Sequence, residues 1–219
     1  MTARSQFDEE LSAYYRDIMY MGTMVEQFLL EVVDAFVAGD AEASRKLLEK
    51  DLLIDGMQTE LEKKSVLLLL LQSPVAKDLR KIITSIKIVA DLERIGDYTV
   101  HLAKLGFKTN PGLYARFIPR IAEMARTGAS MIRDSLTAYI GDDAELAKAT
   151  AARDDRMDAL KKEIVAEPAT LKPSDEKEMR QIFRYFSICK DLERLGDHTT
   201  TICEWVVFSV NGEKVILND

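Results

Sequence analysis

Asp91-Leu-Glu-Arg-Ile-Gly-Asp97 returns one hundred residues later as Asp191-Leu-Glu-Arg-Leu-Gly-Asp197. Two other landmarks precede it in the same order in each half. Gly39-Asp40 matches Gly141-Asp142, an offset of 102, and Asp51-Leu-Leu-Ile-Asp55 matches Asp154-Asp-Arg-Met-Asp158, an offset of 103. Such drifts are what short turn insertions leave. Three ordered matches are improbable by convergence, so the chain reads as an internal duplication.

Helical periodicity surrounds each landmark. Between Phe7 and Ala38, apolar residues such as Leu11, Tyr14, Ile18, Met21, Val25, Phe28, Leu29, Val32 and Phe36 recur at three- and four-residue steps. Gly39 supplies a left-handed cap, and Asp40 an N-cap for a second helix to about Leu71. Ser73-Pro74 restarts the chain as N-cap and first helical residue of a third helix, to about Leu105. Gly106 to Gly112 (GFKTNPG) is rich in breakers and divides a first unit, residues 1–110, from a second, 111–219. The second unit repeats the plan: helices over about 115–140 and 143–166, then one capped by Ser174 and running to about Val210. Pro168 and Pro173 bracket a non-helical stretch, and the tail from Asn211 is loose or makes one small contact. Short connections make sequential helices antiparallel. The predicted fold is all-α: two tandem, pseudo-symmetric antiparallel three-helix bundles.

Composition supports helices and narrows the function. Apolar residues make up 47% of 219, enough for a core, and Gly (10) and Pro (5) are scarce. A net charge of −7 repels a phosphate backbone, which excludes direct nucleic-acid binding and disfavours an anion site without a cation. Cys189 and Cys203, if on one helix, stand about 21 Å apart and cannot bridge each other. They read as buried thiols in a reducing compartment. The opening MTARSQFDEE lacks the apolar core of a signal peptide, and the longest apolar run, Val66 to Leu71, is too short for a membrane span. A cytoplasmic location is expected.

The chemistry lies in carboxylates four residues apart, which stack on one helix face. Glu93/Asp97, Glu193/Asp197, Asp51/Asp55 and Asp154/Asp158 all have this spacing. A like-charge pair costs a bare helix about 0.2–0.5 kcal/mol. Four pairs at matched places in a duplicated chain call for something that offsets the repulsion, and a divalent or trivalent cation does so. Measured from the turn near Gln72, Asp51/Asp55 lie about 29 Å back along helix two and Glu93/Asp97 about 32 Å forward along helix three, so antiparallel packing sets them level. In the second unit, residues 167–173 must run extended to achieve the same match. Oxygen ligands favour Mg, Mn, Ca or Fe over structural Zn, without fixing the identity.

Nearby residues have two readings each. Arg94 and Arg194, three residues after Asp91 and Asp191, either form surface ion pairs with them or hold an anion beside a metal. Gly96 and Gly196 cost a helix interior about 1 kcal/mol each relative to Ala, and mark the close approach of a neighbouring helix or of a bound cluster. His101, one turn past Asp97, could lean in as a ligand, and His198 adjoins Asp197 but points to another side of the helix; both read first as surface or boundary histidines. The whole acidic set could instead be a solvated face neutralised by Lys50, Lys87, Arg153 and Lys190.

These motifs resemble the PhoU family. The doubled D-L-E-R-[IL]-G-D, the aspartate pairs, and Ser73-Pro74 with Asp78-Leu79-Arg80 carry the resemblance, from about Phe7 to Val210. Glu176-Lys-Glu-Met-Arg180 departs from the family's opening of helix three, and Asp154-Asp155 offers two ligands where the first unit offers one. The resemblance implies a cytosolic, often homodimeric regulator that binds metal clusters through Asp51, Asp55, Glu93, Asp97, Asp154, Asp158, Glu193 and Asp197. It also implies repression of the phosphate-starvation response through contact with the ATPase of a phosphate ABC transporter and a membrane sensor histidine kinase, with membrane association only through those partners. Two other functions stay open: a carboxylate-bridged helical-bundle metalloenzyme, for which the chain lacks Glu-x-x-His pairs, and a metal-free helical adaptor.

Overall fold

The computed structural model describes residues 3–72, 74, 76–109, 115–166, 173 and 175–217. Among them lie eight α-helices and no strand: α1 (Ala3–Ala38), α2 (Ala41–Lys46), α3 (Asp51–Gln72), α4 (Ala76–Gly106), α5 (Ile118–Gly141), α6 (Ala144–Ala151), α7 (Asp154–Ala166) and α8 (Glu176–Asn211). Single 3-10 turns occupy Leu47–Lys50 and Ala115–Phe117. The expected second and fifth helices are thus each broken in two. Neither break contains Gly or Pro, so neither was signalled locally. Both fall directly before an aspartate pair and make Asp51 and Asp154 the first residues of α3 and α7. The positive end of each helix dipole therefore lies beside those carboxylates.

Cap chemistry corrects the repeat alignment. Gly39 is left-handed (φ 68) and the Asp40 side chain accepts from Ala43 N at 2.9 Å. In the second half the left-handed residue is Asp142 (φ 52), not Gly141, and Asp143 caps α6 by accepting from Leu146 N at 2.9 Å. The equivalence is therefore Gly39-Asp40 with Asp142-Asp143. Its offset of 103 equals that of the aspartate pairs. Asp175 caps α8, accepting from Glu178 N at 2.8 Å. Ser73, Ser174 and the segment 167–172 lie outside the described residues.

The two three-helix bundles share one apolar core. By far the broadest contact joins α4 to α8, followed by α1 against α5 and α4. The long helices of both repeats thus form the middle, with α2 and α3 on one flank and α6 and α7 on the other. Register along α1 and α5 is antiparallel: Arg133 meets Glu26 at 3.0 Å and Arg126 meets Asp34 at 3.9 Å. Gly22 permits the approach, because a Cβ there would overlap Cδ1 of the buried Leu136. Gly22→Ala should lower stability by about 1–2 kcal/mol, since overpacking of roughly 1–3 kcal/mol outweighs about 1 kcal/mol of helix propensity. The midpoint of urea unfolding reads this directly.

Cys189 and Cys203 are buried and free on α8, and burial pushes both thiols up to about 12. No helix among the described residues is long and apolar enough to cross a membrane. Gly212 (φ 81) ends α8, and the tail returns so that Leu217 N donates to Glu204 at 2.9 Å.

Candidate metal centre

In the first repeat α3 lies against α4 where Ile54 covers Gly96, whose absent Cβ would sit 3.2 Å from Ile54 Cγ2. That contact brings Asp51 and Asp55 to the level of Glu93 and Asp97. The four carboxylates feel one another. Burial, then repulsion from Asp55 and Asp97, raises the Asp51 carboxyl above its ordinary value. Burial, then Asp97, raises Glu93, with Asp55 and Asp51 adding to it. Asp55 and Asp97 are exposed and Asp51 and Glu93 half-buried, so the set opens to solvent along one edge.

The second repeat is tighter. α7 crosses α8 at Gly196, where an added Cβ would overlap Asp154 Oδ1 and lie 3.1 Å from Met157 Sδ. Asp154 is only 2% exposed. Burial first, then Asp197, Asp158, Glu193 and Asp155, pushes its carboxyl up to about 7. Burial and Glu193 raise Asp197 as well. Helix five, though short, therefore achieves the level match. The close-approach reading of Gly96 and Gly196 is the one realised, by Ile54 in one repeat and by Asp154 with Met157 in the other.

Cations offset part of this charge, but three of those the sequence offered are engaged elsewhere. Lys50 pairs with Glu31 at 2.5 Å, Arg153 with Asp134 at 2.8 Å, and Lys87 lies over the Trp205 ring. Arg94 instead reaches Asp97 (3.2 Å) and Glu93 (3.6 Å), Arg194 reaches Asp197 (3.3 Å), and Lys161 contacts Glu193. The expected pairs Arg94–Asp91 and Arg194–Asp191 are therefore replaced, because both aspartates have partners across the repeat boundary. Asp91 lies 2.9 Å from His198 Nδ1, and Asp191 lies 2.6 Å from His101 Nδ1. These reciprocal contacts fix α4 and α8 antiparallel. Sequence reasoning placed both histidines at a surface or boundary and missed this role. The available signal was their position, seven residues after Asp191 for His198 and ten after Asp91 for His101, which only an antiparallel α4–α8 contact makes meaningful.

Each quartet is all oxygen, acidic and mutually repelling, which is the donor chemistry a hard cation takes. Among the described residues no three Asp, Glu, His or Cys side chains converge tightly enough to hold an ion. Binding would thus require the side chains to turn inward and the metal to compete with Arg94, Arg194 and Lys161.

A family model described as the PhoU domain matches residues 18–106 and matches again over 121–206. The chain belongs to the PhoU family. Among curated PhoU relatives, the phosphate-specific transport system accessory protein PhoU homolog of Clostridium acetobutylicum is 36% identical, covering 99% of each chain. The homolog of the same name from Xylella fastidiosa strain 9a5c is 32% identical over 96% of this chain and 89% of its own length. The crystal structure of PhoU from Pseudomonas aeruginosa superposes with a TM-score of 0.82 at 28% identity, covering 94% of this chain and 100% of that one. The phosphate transport system regulatory protein PhoU from Streptococcus pneumoniae gives 0.85 at 29% identity, covering 95% and 99%. These PhoU names describe accessory and regulatory proteins, not enzymes.

Proposed function

We propose that this protein is an accessory component of phosphate uptake, acting as a metal-binding cytoplasmic regulator. It binds the ATPase of a phosphate ABC transporter, a sensor histidine kinase, or both, and represses the phosphate-starvation response. The relatives' names support the link to phosphate transport. The metal reading rests on one observation: each repeat gathers four carboxylates, and in each repeat burial first and then the neighbouring carboxylates raise two of them, Asp51 with Glu93 and Asp154 with Asp197, Asp154 up to about 7. Asp51, Asp55, Glu93 and Asp97 would hold cations in the first repeat, and Asp154, Asp158, Glu193 and Asp197 in the second. Mg, Mn, Fe, Ca or Zn would cancel the repulsion and order the acidic edge for partners. Asp91 and Asp191, through His198 and His101, would hold α4 and α8 in register beneath it.

Protein purified without affinity-tag metal should carry metal by elemental analysis. Glu93→Ala/Asp97→Ala and Glu193→Ala/Asp197→Ala should each remove the share of their own repeat. Unchanged content in both variants would remove the metal reading. The second reading, a metal-free adaptor, is favoured by the lack of three converging donors among the described residues. Equal melting temperatures with and without chelator would select it, because a ligand bound only by the folded state raises stability. Retention of a transporter ATPase or a histidine kinase from cells grown in high and in low phosphate tests the regulatory part.

A further inference from the structure

The two quartets carry the same four carboxylates but not the same cations. Arg94 and Arg194 meet Asp97 and Asp197 at 3.2 and 3.3 Å, so these two contacts do not distinguish the repeats. Arg94 also passes Glu93 at 3.6 Å, but its side chain is 60% exposed and water screens the pair. The difference lies one turn further along the partner helix. Position 58 of α3 is Gln, and its counterpart on α7, by the offset of 103, is Lys161. The Gln58 amide donates to Glu62 of its own helix at 3.2 Å. Lys161 instead turns inward. Asp154, Asp158 and Lys161 follow at steps of four and three on one face of α7. The Lys161 ammonium contacts Glu193 of α8, with side-chain exposures of 32% and 22%. It also lies near the Cys189 thiol, one turn before Glu193: burial raises that thiol and Lys161 opposes the rise. The lysine therefore runs along the α7–α8 contact and closes one end of the second quartet.

We propose that Lys161 is the built-in counter-cation of the second quartet and makes the two repeats unequal. The first quartet takes a divalent cation at the lower concentration, and the second takes one only as Lys161 leaves Glu193. This inference rests on the metal reading of the quartets and adds to it an order of filling and the residue that sets the order.

Two effects oppose each other in the second repeat. Asp154 is only 2% exposed, and Asp155 stands where the first repeat has Leu52, so the quartet itself should draw a cation more strongly. Asp155, however, is exposed, and solvent screens it. The buried charge acts first on the cation that is already there. Lys161 is tethered to the same helix, so its effective concentration exceeds that of a free ion. It is also shielded from water, where ion pairs are screened least. An incoming divalent ion must evict this ammonium or bind beside it, against a repulsion twice that between single charges. In the first repeat it meets only the solvated Arg94. The lysine decides the order.

Binding of Mn²⁺ to the chelator-stripped full chain, followed by electron paramagnetic resonance, tests this. Glu93→Ala/Asp97→Ala leaves the second quartet to be read, and Glu193→Ala/Asp197→Ala leaves the first. The first should bind at least about tenfold more tightly. Adding Lys161→Gln to the former variant should tighten the second quartet at least about tenfold, whereas Lys161→Arg, which keeps the charge, should not. Adding Gln58→Lys to the latter variant should weaken the first quartet, and reads the same effect if Lys161→Gln fails to fold by circular dichroism. Mn²⁺ affinity unchanged within about threefold by both Lys161→Gln and Gln58→Lys would overturn the proposal and leave the metal reading standing. A second quartet that binds more tightly than the first with Lys161 in place would do the same. No Mn²⁺ bound by wild type or by any variant would end both.

Discussion

Asp154→Asn should stabilise the metal-free protein at neutral pH while removing most of the stabilisation that added metal gives. The folded state holds the Asp154 carboxyl up to about 7, first by burial and then by Asp197, Asp158 and Glu193. In the unfolded chain it titrates at an ordinary value near 4. Between those values the folded state keeps a proton that the unfolded state has lost, so stability falls as pH rises through that window. By pH 8 the whole cost is present. About three pKa units at about 1.4 kcal/mol each set an upper limit of roughly 4 kcal/mol. A neutral amide of the same shape escapes most of it, so the chelated variant should melt roughly 5–10 °C above chelated wild type at pH 8. At pH 4 the two should coincide. With Mn²⁺ or Mg²⁺ added the order should reverse, since the amide is a poorer ligand for a hard cation. Differential scanning calorimetry with and without chelator reads all three comparisons. No gain in the chelated variant at pH 8 would mean that Asp154 is not held at a cost, and the main support for the metal reading would go.

That prediction rests on Gly196, and Gly196 shows how far the sequence could be read. The doubled D-L-E-R-x-G-D and the aspartate pairs make the helices, the repeat and the levelling of the carboxylates legible, because periodicity and spacing are local properties of a helix. Which side chain each motif residue meets is not local. Arg94 has Asp91 on one side and Asp97 on the other at equal spacing, and only the contact of α4 with α8 decides between them, by giving Asp91 to His198. The breaks before Asp51 and Asp154 were silent for the same reason. No Gly or Pro stands there, and the contacts that follow each break, Ile54 over Gly96 and Asp154 with Met157 over Gly196, are made with another helix.

The second large effect lies at the other non-local surprise, the left-handed Asp142. Asp142→Ala should destabilise the protein by about 3 kcal/mol. Asp142 accepts from Lys81 at 2.5 Å and pairs with Lys77 at 2.8 Å, and so ties α4 of the first repeat to the α5–α6 turn of the second. Lys81 is 9% exposed, lying 5.0 and 5.4 Å from the ring centroids of Tyr15 and Tyr139. Without its carboxylate it becomes a buried ammonium beside two aromatic rings, which is the costly half of a broken pair. A β-carbon without a polar group also tolerates φ 52 poorly, a further cost of about 1 kcal/mol. Asp142→Gly should recover that second part and Asp142→Asn most of it, but neither the first. Burial acts to raise the Asp142 carboxyl, yet Lys77 and Lys81 together bring it below its ordinary value. Its contribution is therefore present above about pH 4 and lost as pH falls through the lowered value. Asp154 acts the opposite way between about pH 4 and 7, so metal-free wild type should be most stable near pH 4–5 and lose stability on both sides. Asp142→Ala should flatten the acid limb and Asp154→Asn the alkaline limb. Urea midpoints across pH 3–8 separate the two: a wild-type optimum at or above pH 7 without metal would contradict the Asp154 assignment, and an acid limb unchanged in Asp142→Ala would contradict the Asp142 one.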